Sequence, residues 1–141
     1  MTLAPGTFRS LIVCMVLLAT GACKPAPRAA PHPQVGWRPI GSWMGRGDTQ
    51  TESFDIGSTE WRIKWETKGA PSPGAGSFHL EVHSAVSGRP LSNAIDHPGN
   101  GSGIAYVTEE PRLYELVINS RDVDWSIAVE EAVVGEVRQA R

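Results

Sequence analysis

Trp61-Arg62-Ile63-Lys64-Trp65 alternates apolar and polar residues with a period of two. That period places Trp61, Ile63 and Trp65 on one face of a strand and Arg62 and Lys64 on the other. The pattern returns, each time led by an aromatic, in Phe78-x-Leu80-x-Val82, Tyr114-x-Leu116-x-Ile118 and Trp125-x-Ile127-x-Val129, with Phe54-x-Ile56 as a shorter version. The intervening positions are mostly polar, among them Glu66, His79, Glu81, Asp124, Ser126 and Glu130. The apolar spacing of three and four that a helix needs is absent. One wet face and one apolar face imply antiparallel pairing.

Turn-forming stretches separate these runs. Gly57-Ser58-Thr59-Glu60 and Asn119-Ser120-Arg121-Asp122 read as hairpin links of four residues each. Ser87-Gly88-Arg89-Pro90 ends the Phe78 strand, and Asp96–Gly103 leads into a further strand at Ile104–Thr108. Gly69–Gly76 is a longer Gly- and Pro-rich loop. With a first edge strand near Trp43, the total is about seven to eight strands, and their apolar faces must be buried against one another. The expected fold is all-β: a single small antiparallel β-sandwich or jelly roll, with barrel closure as the alternative. The domain spans residues 36–131, followed by a tail over 132–141.

What precedes the domain has a different composition. Arg9 and the apolar run Leu11–Ala19 have the make-up of a secretory leader. The apolar run is about nine residues, roughly 14 Å as a helix, against a hydrocarbon core of about 30 Å, so it is too short to span a bilayer. Residues 23–35 carry four prolines, Pro25, Pro27, Pro31 and Pro33, and read as an extended tether. Lys24 and Arg28 add cations that anionic headgroups attract.

Thr20-Gly21-Ala22-Cys23, directly behind the apolar run, resembles the signal of bacterial lipoproteins, although Thr20 stands where that family commonly has Leu. The resemblance implies that residues 1–22 are removed, that Cys23 is acylated and becomes the mature N-terminus, and that the lipid bilayer is a partner. The alternative is an ordinary signal peptide cut near Ala22. Cys14 lies in the leader, so Cys23 would be the one Cys of the mature chain and no intramolecular disulfide could form. The expected location is the cell envelope. In the enterobacterial sorting rule an Asp after the Cys retains a lipoprotein in the inner membrane. Lys24 stands there, which favours an outer membrane facing the periplasm where the source has two membranes.

The aromatic-led strands, the Gly-rich stretch Gly99–Gly103 and the Tyr114 and Trp125 runs also resemble the pre-peptidase C-terminal domain, a small β-sandwich found beside secreted bacterial proteases. The resemblance covers roughly residues 49–130 and implies an accessory module without catalytic residues. The expectation departs from that family in one respect, that no protease accompanies the module.

Chemistry-bearing residues are few. His79, Glu81 and His83 alternate along one strand and share a wet face; neighbours two apart could offer two ligands to an ion, but the set is not complete. Asp96, His97 and Ser102 are hydrolase residue types without a nucleophile elbow. Asp55, Asp96, Asn100, Asp122 and Asp124 are loop oxygen donors without the spacing of a calcium loop. Arg46-Gly47-Asp48 is an adhesion tripeptide in an obvious turn. No catalytic residue, metal ligand or cofactor is assigned from the sequence. The candidate ligand contacts are Trp37 and Trp43, which could stack on a sugar ring or a partner protein if exposed, with Asp96 and Asn100 on a Gly-rich loop.

A net charge of −2 and the lack of a basic stripe argue against nucleic acid as a partner. The expectation is a monomeric, membrane-anchored, non-catalytic binding module, its partner an envelope protein or a glycan. The alternatives are a passive structural subunit of an envelope assembly, or a glycan-binding module using Trp37 and Trp43.

Overall fold

The structure, a computed structural model, describes residues 33–136. Nine strands follow one another in the order β1 (Pro33–Arg46), β2 (Thr49–Gln50), β3 (Phe54–Ile56), β4 (Glu60–Lys68), β5 (Ser77–Ser84), β6 (Pro90–Pro98), β7 (Gly101–Thr108), β8 (Arg112–Arg121) and β9 (Asp124–Glu136). They form two antiparallel sheets. One has the order β1-β9-β4-β7; the other has β2-β8-β5-β6, with β3 also on β8. Thr51 keeps the interrupted β2–β3 edge in place: its amide donates to the Leu116 carbonyl and its hydroxyl oxygen accepts from the Leu116 amide. The fold is all-β and compatible with a small sandwich.

The aromatic-led runs meet in one core. Trp61, Phe78 and Tyr114 are fully buried and Trp125 is nearly so, together with Ile63, Leu80, Val82, Leu116, Ile118 and Val129. Their rings form two groups. In the first, Phe54 touches Trp43 and Trp61 at centroid distances of 5.6 and 5.9 Å, and Trp61 lies 5.1 Å from Tyr114. In the second, Phe78 stacks on Trp65 at 6.1 Å and on Trp125 at 6.3 Å, while His97 covers Trp65 at 4.9 Å. The Tyr114 hydroxyl donates to the Glu110 carbonyl four residues upstream, so this buried ring leaves no orphaned donor.

The structure differs in detail from the sequence reading in three places. The links Gly57–Glu60 and Asn119–Asp122 are not hairpins: β3 pairs with β8 while β4 pairs with β7 and β9, so each link carries the chain from one sheet to the other. A four-residue turn has the same composition in either role. The strand count among the described residues is nine because the short β2 and the longer β6 add to the seven runs read from the sequence. The alternation of β6 is hidden by two irregularities in its pairing with β5, between Leu80 and Glu81 and between Val82 and His83. Finally, the domain is longer at both ends than 36–131, since Pro33–Trp37 of β1 pair with Ala132–Glu136 of β9. Pro33 can begin an edge strand because no ladder amide is required there.

Burial ranks the side chains of β4. Trp61→Ala removes a fully buried aromatic and should cost about 3–5 kcal/mol, whereas Lys64→Ala, on the wet face, should cost less than about 1 kcal/mol. Urea midpoints of the two variants check this; equal midpoints would refute the assigned faces.

Candidate binding surface

The surface begins with an irregularity in β1. Pro39 pairs with Glu130 and Gly41 with Val129, so Ile40 is an extra residue with no partner. Proline has no amide to offer the ladder, and a bulge is a place where the ladder can do without one. One inserted residue also reverses which face the side chains occupy. Trp43, opposite Ile127, points into the core onto Phe54. Trp37, opposite Ala132, points out of the sandwich instead. It covers the Arg62 guanidinium at 4.0 Å and lies 5.9 Å from the ring of Tyr106.

Below Trp37 the charges are paired. Arg62 on β4 reaches Glu130 on β9 at 2.7 Å, and Lys64 reaches the other oxygen of Glu130 at 3.2 Å. The Arg62 hydrogen bond is the main reason the Glu130 carboxyl is held below its usual pKa, with partial burial opposing and Lys64 assisting. The outer face of this sheet thus presents an aromatic pair over an ion-paired floor, with Ile104 and Met44 exposed farther along.

On the inner face of the same strand ends sits Glu131, 1 % exposed. Arg38 pairs with it, and the Gly57 amide donates to its second oxygen at 2.9 Å. Burial pushes this carboxyl up, but the hydrogen bonds from Arg38 and Gly57 outweigh it and the pKa is lowered. Glu131 therefore ties β1, β9 and the β3–β4 link together where the sandwich would otherwise open.

The other candidates are distributed as follows. Asn100 accepts from the Ala70 amide at 2.9 Å, and the Gly99 amide donates to the Gly76 carbonyl at 3.1 Å. The two Gly-rich stretches are thereby stitched to each other at one end of the sandwich. Gly76 is required there: its φ is 79°, and a Cβ would lie 2.7 Å from the Arg121 carbonyl oxygen. Asp96 is exposed on β6 opposite His79, while His97 faces inward onto Trp65 and Ser102 lies exposed on β7 in the other sheet, so these three do not converge. Arg46 and Asp48 are occupied within the structure: Arg46 pairs with Asp124 at 3.0 Å and Asp48 accepts from the Ser120 amide at 2.9 Å. The Gly47 carbonyl between them accepts from the Trp125 indole at 3.1 Å. Cys23, the leader and most of the tether lie outside the described residues.

His79 and His83 both approach Glu81, at 3.4 and 2.9 Å, one on each carboxylate oxygen. The hydrogen bond from His83, then that from His79, lowers the Glu81 pKa. The two rings are drawn to a carboxylate rather than to a shared point, and among the described residues no three His, Cys, Asp or Glu side chains are placed to hold a metal ion. No family model matches the chain, and no curated protein matches it.

Sequence reasoning missed the Arg38–Glu131 pair. The signal was present, since Glu131 continues the apolar phase of Trp125, Ile127 and Val129 and so is a carboxylate on the core face. Because its folded pKa lies below the unfolded value of about 4.3, its contribution is complete above that pH and is lost as pH falls through the folded pKa. Glu131→Gln should lower stability by about 1–2 kcal/mol at neutral pH. The gap from wild type should narrow below about pH 4. Chemical denaturation as a function of pH measures both, and a gap independent of pH would contradict the role of the charge.

Proposed function

We propose that this chain is a lipid-anchored module of the cell envelope that binds a macromolecular partner on a sheet face and carries out no chemistry itself. The observation that carries this reading is the placement of exposed apolar and aromatic side chains. Tyr106, Ile104 and Met44 are exposed and Trp37 half-buried on the outer face of the β1-β9-β4-β7 sheet, whereas the residue types that could do chemistry are dispersed. A broad, shallow face suits a partner that is itself broad, a protein or a glycan strand. Trp43 is packed on Phe54 and so is not free to stack, and the exposed Tyr106, Ile104 and Met44 are the contacts in that role. The loops around Asp96 and Asn100 support this face less well, since Asn100 holds its neighbouring loop.

The anchor rests on Thr20-Gly21-Ala22-Cys23 behind an apolar run. Its address is the envelope, with the outer membrane favoured by Lys24 where two membranes exist. The mature chain would hold the domain through nine residues, 24–32, between Cys23 and the first strand.

Expression of the full chain with an acyl label tests the anchor. Wild type should incorporate the label and fractionate with membranes, and Cys23→Ala should do neither. An unlabelled wild-type chain in the soluble fraction would overturn the anchor. The binding face is tested separately by the melting temperature of the protein against purified peptidoglycan fragments and envelope proteins. Stabilisation that is lost in Tyr106→Ser supports a partner on this face, and stabilisation unaffected by that change places it elsewhere.

A further inference from the structure

We propose that the outer end of the β1–β9 ribbon is a membrane foot, the part of the domain that rests at headgroup level on the bilayer; this rests on the reading of Cys23 as the anchor. Pairing of β4 with β9 begins at Trp61 opposite Glu131, so β9 residues 132–136 have β1 on one side and, among the described residues, no strand on the other. The two strands project together. On the outer face of the projection Val35 stands directly opposite Val134, and Trp37 opposite Ala132. Val35 is 57 % exposed and Val134 77 % exposed, and Trp37 stands behind them at the border of the partner-binding face. Aliphatic side chains therefore occupy the tip and the amphipathic Trp37 ring stands behind them.

This order matches the chemical gradient of a lipid surface. Short aliphatic groups favour the acyl boundary, while Trp and Tyr favour the headgroup layer, where the ring is buried and its polar atom hydrated. The charges behind the strip do not oppose the approach, because Arg62 and Glu130 neutralise each other under Trp37. Deeper insertion is disfavoured, since the unpaired backbone edge of residues 132–136 needs water or headgroups as partners.

Chain length selects the lipid over other occupants of this strip. The described chain begins at Pro33, at the outer end of the ribbon, opposite Glu136. Nine residues separate it from Cys23, at most about 33 Å of extended chain. An anchored Cys23 thus leads directly into the ribbon, and among the described residues no other apolar strip is joined to the anchor by so short a stretch.

The test uses the mature chain, Cys23 to Arg141, coupled through its one thiol to a maleimide phospholipid in phosphatidylethanolamine–phosphatidylglycerol vesicles. This chemical tether makes the result independent of whether cells acylate Cys23, which the label experiment decides. Vesicles with lipid brominated near the headgroup end should quench tryptophan fluorescence. Quenching should fall by at least half in Trp37→Phe and in the double variant Val35→Thr with Val134→Thr, and should be unchanged in Val86→Thr, at an exposed valine between β5 and β6. Threonine keeps the branched shape that suits a strand, and both valines are exposed, so the double variant should keep its melting temperature. Absence of quenching in the tethered wild type, or equal quenching in the double variant, would overturn the proposal. So would a vesicle-free dimer of the wild type that the double variant abolishes, because the strip would then cover a second copy.

Discussion

Interdigitation of aromatic rings across the two sheets is the contact on which the rest of this structure depends. Trp43 and Trp61 come from one sheet and Phe54 and Tyr114 from the other; Trp65 and Trp125 come from one, Phe78 and His97 from the other. Neither Cys14 nor Cys23 lies among the described residues, so no disulfide joins the two sheets there and the burial of these rings is the principal force closing the sandwich. The connectivity follows from the same need. Among the described links between the two sheets, those after β3 and β8 are short arches that set an aromatic on each side of the core, as Phe54 and Trp61 show at 5.9 Å.

The bulge at Ile40 then determines what the surface offers. Trp37 and Trp43 are six residues apart, an even spacing that would put both on one side of an unbroken strand. The extra residue sends Trp43 to the core and Trp37 to the outer face. It also turns Arg38 inward to meet Glu131, the pair that fixes the strand ends. A single unpaired residue thus supplies an inner clamp and an outer aromatic platform together.

The strand faces were legible in the sequence because the period of two is strong wherever an aromatic leads: every ring predicted to lie in the core from Trp61, Phe78, Tyr114 and Trp125 is buried there. What could not be read is non-local or aperiodic. Whether Gly57–Glu60 turns within a sheet or between sheets depends on partners far away in the chain. The irregular pairing of β6 breaks the alternation that would have marked Leu91–His97 as a strand. For the surface, Trp37 stood out by its residue type, but its separation from Trp43 required the bulge, and its partners Arg62 and Tyr106 come from β4 and β7. Asn100 stood out by its loop, and its side chain is spent on the Ala70 amide.

The proposed module is a rigid sandwich held close to a bilayer, with one sheet face for a partner and the strand ends nearest the tether for the lipid. In this proposal acylation of Cys23 would organise the arrangement, because it would fix the end of the molecule from which the domain is presented. The intact mass of the chain purified from native membranes tests it most directly. The predicted result is a chain starting at Cys23 that carries the mass of covalently attached acyl chains. An unmodified chain, or one beginning at any other residue, would contradict it.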